Sequence, residues 1–382
     1  MGELVSGPVE HLAAGGAGIL TFQGKRIFMD GVAPGDTVTG RITVENRRWA
    51  RAELVEVVEA SPLRTHPPCP FYGSCGGCSL QHLTYEAQIA EKALILRDAF
   101  TRLGGINLPG DISFVPSPPW EYRNRIQLHG RGPVGFKARK SDEIIPINDC
   151  PVSDPGIRAV IQEAAALPPP GRDRFTLYSR LDTLVSEGII RGKTQRRGTV
   201  SLGGKDIHID AGVFFQSNGI MLEKLIAGLL QAAEGADTSL PMADLYCGVG
   251  TFAAFLGEGF PRADLVEENP EAIALARENT RGMETRLFAQ TGDLWVKGCS
   301  MPGDYGFMVA DPPRQGLSPA LRRALSLKGP PVLAYVSCDP ATLARDSGEL
   351  TAGGYHLERI TGYDFYPQTA HIESLAVFVR GA

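Results

Sequence analysis

The 382-residue sequence has no apolar run long enough to cross a membrane. Its first residues, MGELVSGPVEHLAAGG, lack both the basic and the apolar segment of a secretory leader and only loosely resemble an acylation start. The chain is therefore expected to be cytoplasmic, with no membrane partner, and no obligate protein partner is evident. Cysteine is sparse, at seven residues, which excludes a disulfide scaffold and turns attention to how the few thiols are grouped. A strong charge of one sign is also missing. The net charge of -5 taken alone argues weakly against nucleic acid.

The distribution of charge says more than its total. Residues 1–209 hold 25 basic and 22 acidic side chains, whereas the remainder hold 13 and 21. Within the first part, YRNRIQLHGRGPVGFKARKS (122–141) has six Lys or Arg and no acid, and IIRGKTQRRG (189–198) has four more. A basic stripe of this kind suits a polyanion, and it equally describes a solvated strand face.

With 43% hydrophobic residues the chain is globular and large enough for two or three domains. Residues 3–60 read as short strands between glycine turns, a small five-strand barrel whose Arg47, Arg48, Trp49 and Arg51 suit a nucleic-acid platform. The proline-rich PLRTHPPCP (62–70) is a boundary. Cys69, Cys75 and Cys78 follow in CPFYGSCGGC, and Cys150 stands alone in INDCPVSDP. Four thiols can enclose zinc or an iron–sulfur cluster, and the absence of a second short cysteine pair is more typical of clusters. TYEAQIAEKALILRDAFTRL (84–103) predicts an amphipathic helix with Thr84 as N-cap, Gln88 one place beyond a capping box, and Ile89, Leu94, Leu96, Phe100 and Leu103 on its apolar face. Residues 112–209 return to strands around one helix at 154–166, an antiparallel sheet domain.

The second half repeats a strand, a polar turn and a helix. PMADLYCGVGTF departs from the dinucleotide fingerprint by a missing third glycine, which suits an adenosyl ligand without a pyrophosphate. Gly248 and Gly250 permit close approach, and Glu267 at the next strand end can accept bonds from both ribose hydroxyls. Asp293 and the turn DPPRQGL (311–317) follow two further apolar segments. LAYVS then delivers Cys338 into a turn that opens a helix, where the dipole lowers a thiol pKa; a buried core cysteine reads the same way. Glu373 enters the final apolar strand, where a carboxylate is costly unless paired or used. A thiol, an arginine (Arg314) and a carboxylate at three strand ends suit addition of a thiolate to an electron-poor ring followed by proton removal.

These segments, with CPFYGSCGGCSLQHLTYEAQIAEK, YRNRIQLH, GFKARKSDEIIPINDC, FFQSN, YVSCDPATLARD and DFYPQTAHIE, resemble the bacterial RNA (uracil-5-)-methyltransferases. The likeness is strongest to the ribosomal branch, which has an N-terminal TRAM domain and a four-iron four-sulfur cluster. It implies an α/β, Rossmann-like class I S-adenosyl-L-methionine methyltransferase domain (81–112 and 214–382), a TRAM-like β-barrel (1–62) and a central iron–sulfur and RNA-binding domain (63–80 and 113–213). By the same resemblance Cys338 is the nucleophile and Glu373 the base. Gln216, Tyr246, Thr251, Glu267, Asp293 and Asp311 bind the cofactor, and Cys69, Cys75, Cys78 and Cys150 hold the cluster. Cys247 and Cys299 are read as structural. The cluster cysteines favour 23S ribosomal RNA as the partner, with transfer RNA as the alternative. Two other readings are weaker. Amino-group methylation of a purine wants an aromatic residue where Arg314 stands, and a non-catalytic RNA-binding metal module leaves Cys338 and Glu373 without a use.

Overall fold

The computed structural model describes residues 2–130, 134–298 and 302–381. Cys299 lies outside the described residues. Among them, no helix is long and apolar enough to cross a membrane.

The N-terminal strands, Leu4–Pro8, His11–Leu12, Gly18–Phe22, Lys25–Met29, Thr37–Glu45 and Trp49–Glu59, form one sheet. Its two edges are Leu4–Pro8 and His11–Leu12, consecutive strands joined only by Val9 and Glu10. So short a connection forces the sheet to curl back on itself, and Val5, Leu20, Ile27, Met29, Val38 and Ala50 fill the inside. The strand beyond the five expected, His11–Leu12, is two residues long, too short for alternation to reveal. Arg47, Arg48, Trp49 and Arg51 are exposed, and Trp49 packs edge-on against Phe28 with ring centroids 6.3 Å apart.

A central antiparallel sheet follows in the order Ile144–Pro146, Gly135–Lys137, Arg125–His129, Arg174–Arg180, Thr183–Ser186. Helix Pro155–Gln162 packs Ile157, Val160 and Ile161 on its apolar face, with Asp154 as N-cap. The cysteine loop is hung on the sheet's edge by Gly76 N–H to the Lys137 carbonyl (2.9 Å).

The largest sheet has eight strands, numbered here β1 (Ser113–Val115), β2 (Met242–Leu245), β3 (Ala263–Glu267), β4 (Thr285–Ala289), β5 (Phe307–Ala310), β6 (Val332–Ser337), β7 (Tyr355–Tyr363) and β8 (Glu373–Arg380). They lie in the order β4-β3-β2-β5-β6-β8-β7-β1, parallel from β4 to β6, with β8 antiparallel to both β6 and β7. Helices cover both faces, which is why β2, β5 and β6 are buried along their whole length rather than at alternate residues. Helices Gly219–Ala233, Thr251–Leu256 and Pro270–Asn279 pack on one face, and Tyr85–Ala99, Pro319–Lys328 and Pro340–Ala352 on the other.

Two segments sit elsewhere than their strand-rich composition suggests. Ser113–Val115 pairs with β7, and the hairpin Arg197–Leu202/Lys205–Asp210 puts Val200, Leu202, Ile207 and Ile209 into the core that holds Leu222 and Phe252. Both therefore pack with the eight-stranded sheet, although the predicted boundaries give them to the central domain. The helix predicted over 84–103 needs a larger correction. It runs over Tyr85–Ala99 with Thr84 as its N-cap, then loosens into a π turn at Phe100–Gly104. Leu94 and Leu103 are exposed, while Gln88, Glu91 and Lys92 are buried. The apolar face was misplaced because this helix meets loops with polar partners to offer rather than a purely apolar surface.

Candidate active site

The carboxyl ends of the five parallel strands β4, β3, β2, β5 and β6 open onto one side of the large sheet. After β2 the chain reverses through Tyr246 (φ 60°), Gly248 (φ 54°) and Gly250 (φ 78°) before helix Thr251–Leu256 begins. A β-carbon on Gly250 would stand 2.9 Å from the Ala276 side chain, so glycine is required for the turn to lie against the next helix. Glu267, ending β3, accepts from Gly248 N–H (3.1 Å) and Asn269 N–H (2.8 Å) and so is fixed at the turn's mouth. Beneath it, fully buried Asp244 accepts from Ala253 N–H (3.0 Å), and burial pushes its carboxyl up to about 8. Nothing in the sequence reading singles out Asp244.

After β5, Asp311 begins the proline turn. Gly316 (φ 78°) closes that turn, and Leu317 N–H donates to the buried carboxylate of Asp346 (2.9 Å) on the helix that follows Cys338. Asp346 also accepts from the Tyr335 hydroxyl (2.8 Å), Arg322 (2.7 Å) and Arg345 (2.8 Å). One carboxylate thus locks the DPPR turn to the Cys338 turn. Cys338 itself lies between Ser337, the last residue of β6, and Asp339, whose side chain caps the helix by accepting from Thr342 N–H (2.9 Å).

A cavity of about 1110 Å³ is lined by Cys338, Glu373, Asp311, Arg314, Gln216, Tyr246, Glu267 and Asp293 among others. Seven of the eight residues expected to act or to bind cofactor therefore share it. Thr251, the eighth, begins the helix behind the glycine turn and does not line the cavity. The four expected cluster cysteines do not line it either, although Gly76 and Gly77 between them reach its rim.

The electrostatics differ from the expectation for Cys338. Its thiol is pushed up to about 11, first by burial and then by the nearby Glu373 and Asp311 carboxylates, and Arg314 offsets this only in part. The helix dipole does not win, because burial of the thiol outweighs it and the Glu373 and Asp311 carboxyl groups push the same way. Glu373, 3% exposed and with one carboxylate oxygen lacking any hydrogen-bond partner, is held well above the usual carboxylate range by burial and Asp311. Asp311 is raised to about 7 by burial, opposed by a hydrogen bond from Gln216. His371 is depressed to about 4, chiefly by burial and by Arg314, and its neutral ring takes a hydrogen bond from Arg314 (3.2 Å) on Nδ1.

Several cavity residues escaped the sequence reading of the site. Phe214 is 58% exposed at the mouth, with the Arg125 guanidinium 5.6 Å from its ring centroid. Arg123, Tyr366 and His371 also line the cavity. The unbroken basic stretch at 122–141 was the available signal for the two arginines, but the alternation of its strand could not say which face looked at the site.

Cys75, Cys78 and Cys150 are all raised, first by burial (Cys78 to about 12) and further by cysteine neighbours, Cys69 among those acting on Cys75 and Cys150. Among the described residues, no group of three His, Cys, Asp or Glu is arranged to hold a metal ion. The expected cluster is therefore not shown, although the thiols converge on one region.

The fold and this cavity are those of an S-adenosylmethionine-dependent methyltransferase. The family described as tRNA (Uracil-5-)-methyltransferase matches residues 296–380. The chain is 31% identical to the 23S rRNA (uracil(1939)-C(5))-methyltransferase RlmD of Shewanella amazonensis, over 97% of this chain and 94% of that one. It is also 31% identical to an uncharacterized RNA methyltransferase of Treponema denticola, over 93% and 94%. A Pyrococcus abyssi tRNA (uracil-54, C5)-methyltransferase, solved with S-adenosyl-L-homocysteine, superposes with a TM-score of 0.73 at 27% identity, covering 98% of this chain and all of that one. The chain belongs to the RNA uracil-5-methyltransferase family and is an enzyme of the methyl-transferring class.

Proposed function

We propose that the enzyme methylates carbon 5 of one uridine in 23S ribosomal RNA, with Cys338 as nucleophile and Glu373 as base. The observation that carries this reading is the meeting of Cys338, Glu373, Asp311 and Arg314 in one cavity at the carboxyl edge of the sheet. Carbon 5 of uracil is a weak nucleophile. Addition of the Cys338 thiolate to carbon 6 makes the ring an enolate whose carbon 5 can form the new bond. S-adenosylmethionine supplies an electrophilic methyl group on a sulfonium. Glu373 then takes the carbon 5 proton, and the returning electron pair expels the Cys338 sulfur and restores the ring. Arg314, held by neutral His371, stands where it can balance the enolate oxygen's charge. The target base must leave any stack to expose both faces, and Phe214 with Arg125 offers a stacking surface at the cavity's mouth. Gln216, Tyr246, Glu267, Asp293 and Asp311 line the cofactor's share of the cavity, and Thr251 supports the glycine turn from behind.

Within this reading, residues 1–62 are a TRAM-like barrel. The central domain, 63–80 and 113–213 without the two segments reassigned above, carries the cluster and RNA contacts. Cys69, Cys75, Cys78 and Cys150 hold a four-iron four-sulfur cluster. The proximity of these thiols, shown by the charge that Cys75, Cys78 and Cys150 feel from their cysteine neighbours, supports a shared group that would take thiolate ligands. The cluster's role is structural, since the reaction moves no electrons. Protein purified without oxygen should be brown and contain iron. Stoichiometric zinc without iron would refute the assignment, and Cys75→Ser should lower solubility and thermal stability before it alters chemistry.

Ribosomal RNA is favoured because the RlmD relative matches along nearly its whole length and because the accessory units are larger than one nucleotide requires. The likeness to the P. abyssi enzyme supports transfer RNA as the second reading. Protein-free 23S RNA and unmodified transfer RNA, offered in parallel with labelled methyl donor, decide between them. Preferential labelling of 23S RNA is expected. Affinity should fall steeply with salt, and Arg125→Ala should weaken binding without moving the modified position.

A further inference from the structure

The loop from Asp364 to Ile372 joins β7 to β8, carries Tyr366 and His371 into the cavity, and ends on Glu373. Its position is set from outside the sheet. On helix Tyr85–Ala99, Gln88 and Lys92 are one turn apart on the same face, and both side chains are fully buried. Lys92 Nζ donates to Asp364 Oδ1 (2.6 Å) and to the Tyr366 carbonyl (3.1 Å), and Asp364 is as buried as its partner. The Gln88 amide donates to Gln368 Oε1 (3.0 Å), and its oxygen accepts from Gln368 N–H (2.9 Å).

Gln368 is itself unusual. It holds a left-handed backbone (φ 65°), uncommon for a residue with a side chain, and it is 3% exposed. Its carbonyl accepts from both Ser79 and Leu80 N–H (2.9 Å each), the residues immediately after Cys78. A strained, buried residue bonded from two directions persists only where its surroundings over-determine it, and such residues concentrate at functional sites. A buried lysine–aspartate pair is a poor source of stability compared with apolar packing, so its use here also points to placement.

We infer that Gln88 and Lys92 are positioning residues for the proton-removal step, gripping the loop at two points so that the Glu373 carboxylate stands against carbon 5 of the substrate. This rests on the assignment of Cys338 and Glu373 above. The grip acts on one side of the cavity only. The Cys338 turn and the DPPR turn are locked to each other by Asp346, and the loop meets them through the His371–Arg314 hydrogen bond (3.2 Å). Loosening the grip therefore slows the step that Glu373 performs more than the steps that precede it.

The test is a single-turnover experiment with 23S RNA, following methyl incorporation and the covalent protein–RNA adduct on denaturing gels. The variants are Gln88→Leu and the paired Lys92→Met/Asp364→Leu, which removes both charges and leaves no buried ion alone. Methyl incorporation should stay within about threefold of the parent. Resolution of the adduct should slow by about tenfold or more, the scale of effect that a small misplacement of a reacting group produces. S-adenosylhomocysteine affinity should be unchanged within about twofold, because the cofactor residues are on other turns. Equal slowing of both steps, no slowing of either, or loss of cofactor binding in both variants would show a merely structural role and overturn the inference. Glu373→Gln is run alongside. If it traps adduct and the loop variants do not, the inference alone falls; if it traps none, the assignment of Glu373 falls and the inference with it.

Discussion

Glu373→Gln should form the carbon–sulfur bond, transfer the methyl group and then stop, leaving protein and RNA covalently joined. The parent carboxyl is buried, raised well above its usual range and has an oxygen with no donor, so its carboxylate form is a stronger base than a solvated one and is not half of an ion pair. The amide keeps the shape and removes the basicity. It also removes one of the two carboxyl groups that, after burial, hold the Cys338 thiol up, so thiolate formation is helped. Turnover should fall by about a thousandfold or more, near the upper range for loss of a positioned acid–base group. A retarded band on denaturing gels with labelled RNA and labelled methyl donor would be seen within one turnover. Absence of that band, with Cys338 intact, would mean that another group removes the proton.

Cys338→Ala should abolish methyl transfer, with a loss of about 10⁴-fold or more, because among the described residues no other thiol lines the cavity to add to carbon 6. Binding of S-adenosylhomocysteine, read by calorimetry, should hold within about twofold. The same thiol predicts a pH dependence. With its pKa raised to about 11, the thiolate fraction in the free enzyme grows about tenfold per pH unit across the neutral range, and the rate of adduct formation should climb with it. Glu373→Gln should shift that rise toward lower pH. A flat profile in the parent enzyme would mean that the thiol's proton is removed by a group already poised at neutrality, with Asp311 the nearest candidate at about 7.

Much of the catalytic half was legible because parallel strands buried on both faces leave continuous apolar runs, and the turns after them stand out. FMVA before Asp311 and LAYVS before Cys338 are strands in the structure, and their end residues meet in the cavity. What could not be read was any relation set by distant polar contacts. Gln88 has the look of a misplaced capping residue, yet its partner is 280 positions away. Leu94 has the look of core and is exposed. The sequence places the Cys338 turn but points its thiol's shift the wrong way, because the burial that raises it, and the carboxyl groups that add to this from two other strands, are set by the fold.

The gripping helix also bears on how the chain reaches its native state. Lys92 and Gln88 meet partners 272 and 280 residues later, and β1 pairs only with β7. Contacts of that separation make folding slow, since a long loop must close before they form. During synthesis the helix would emerge with a buried-type face of lysine, glutamate and glutamine and no loop to receive it. The β8 edge of β6 would be equally bare until residues 373–380 had been made. The unfinished sheet therefore offers an unpaired strand edge to other chains, and placing the base by residues made so early exposes the growing chain to mispairing until its last strand is complete.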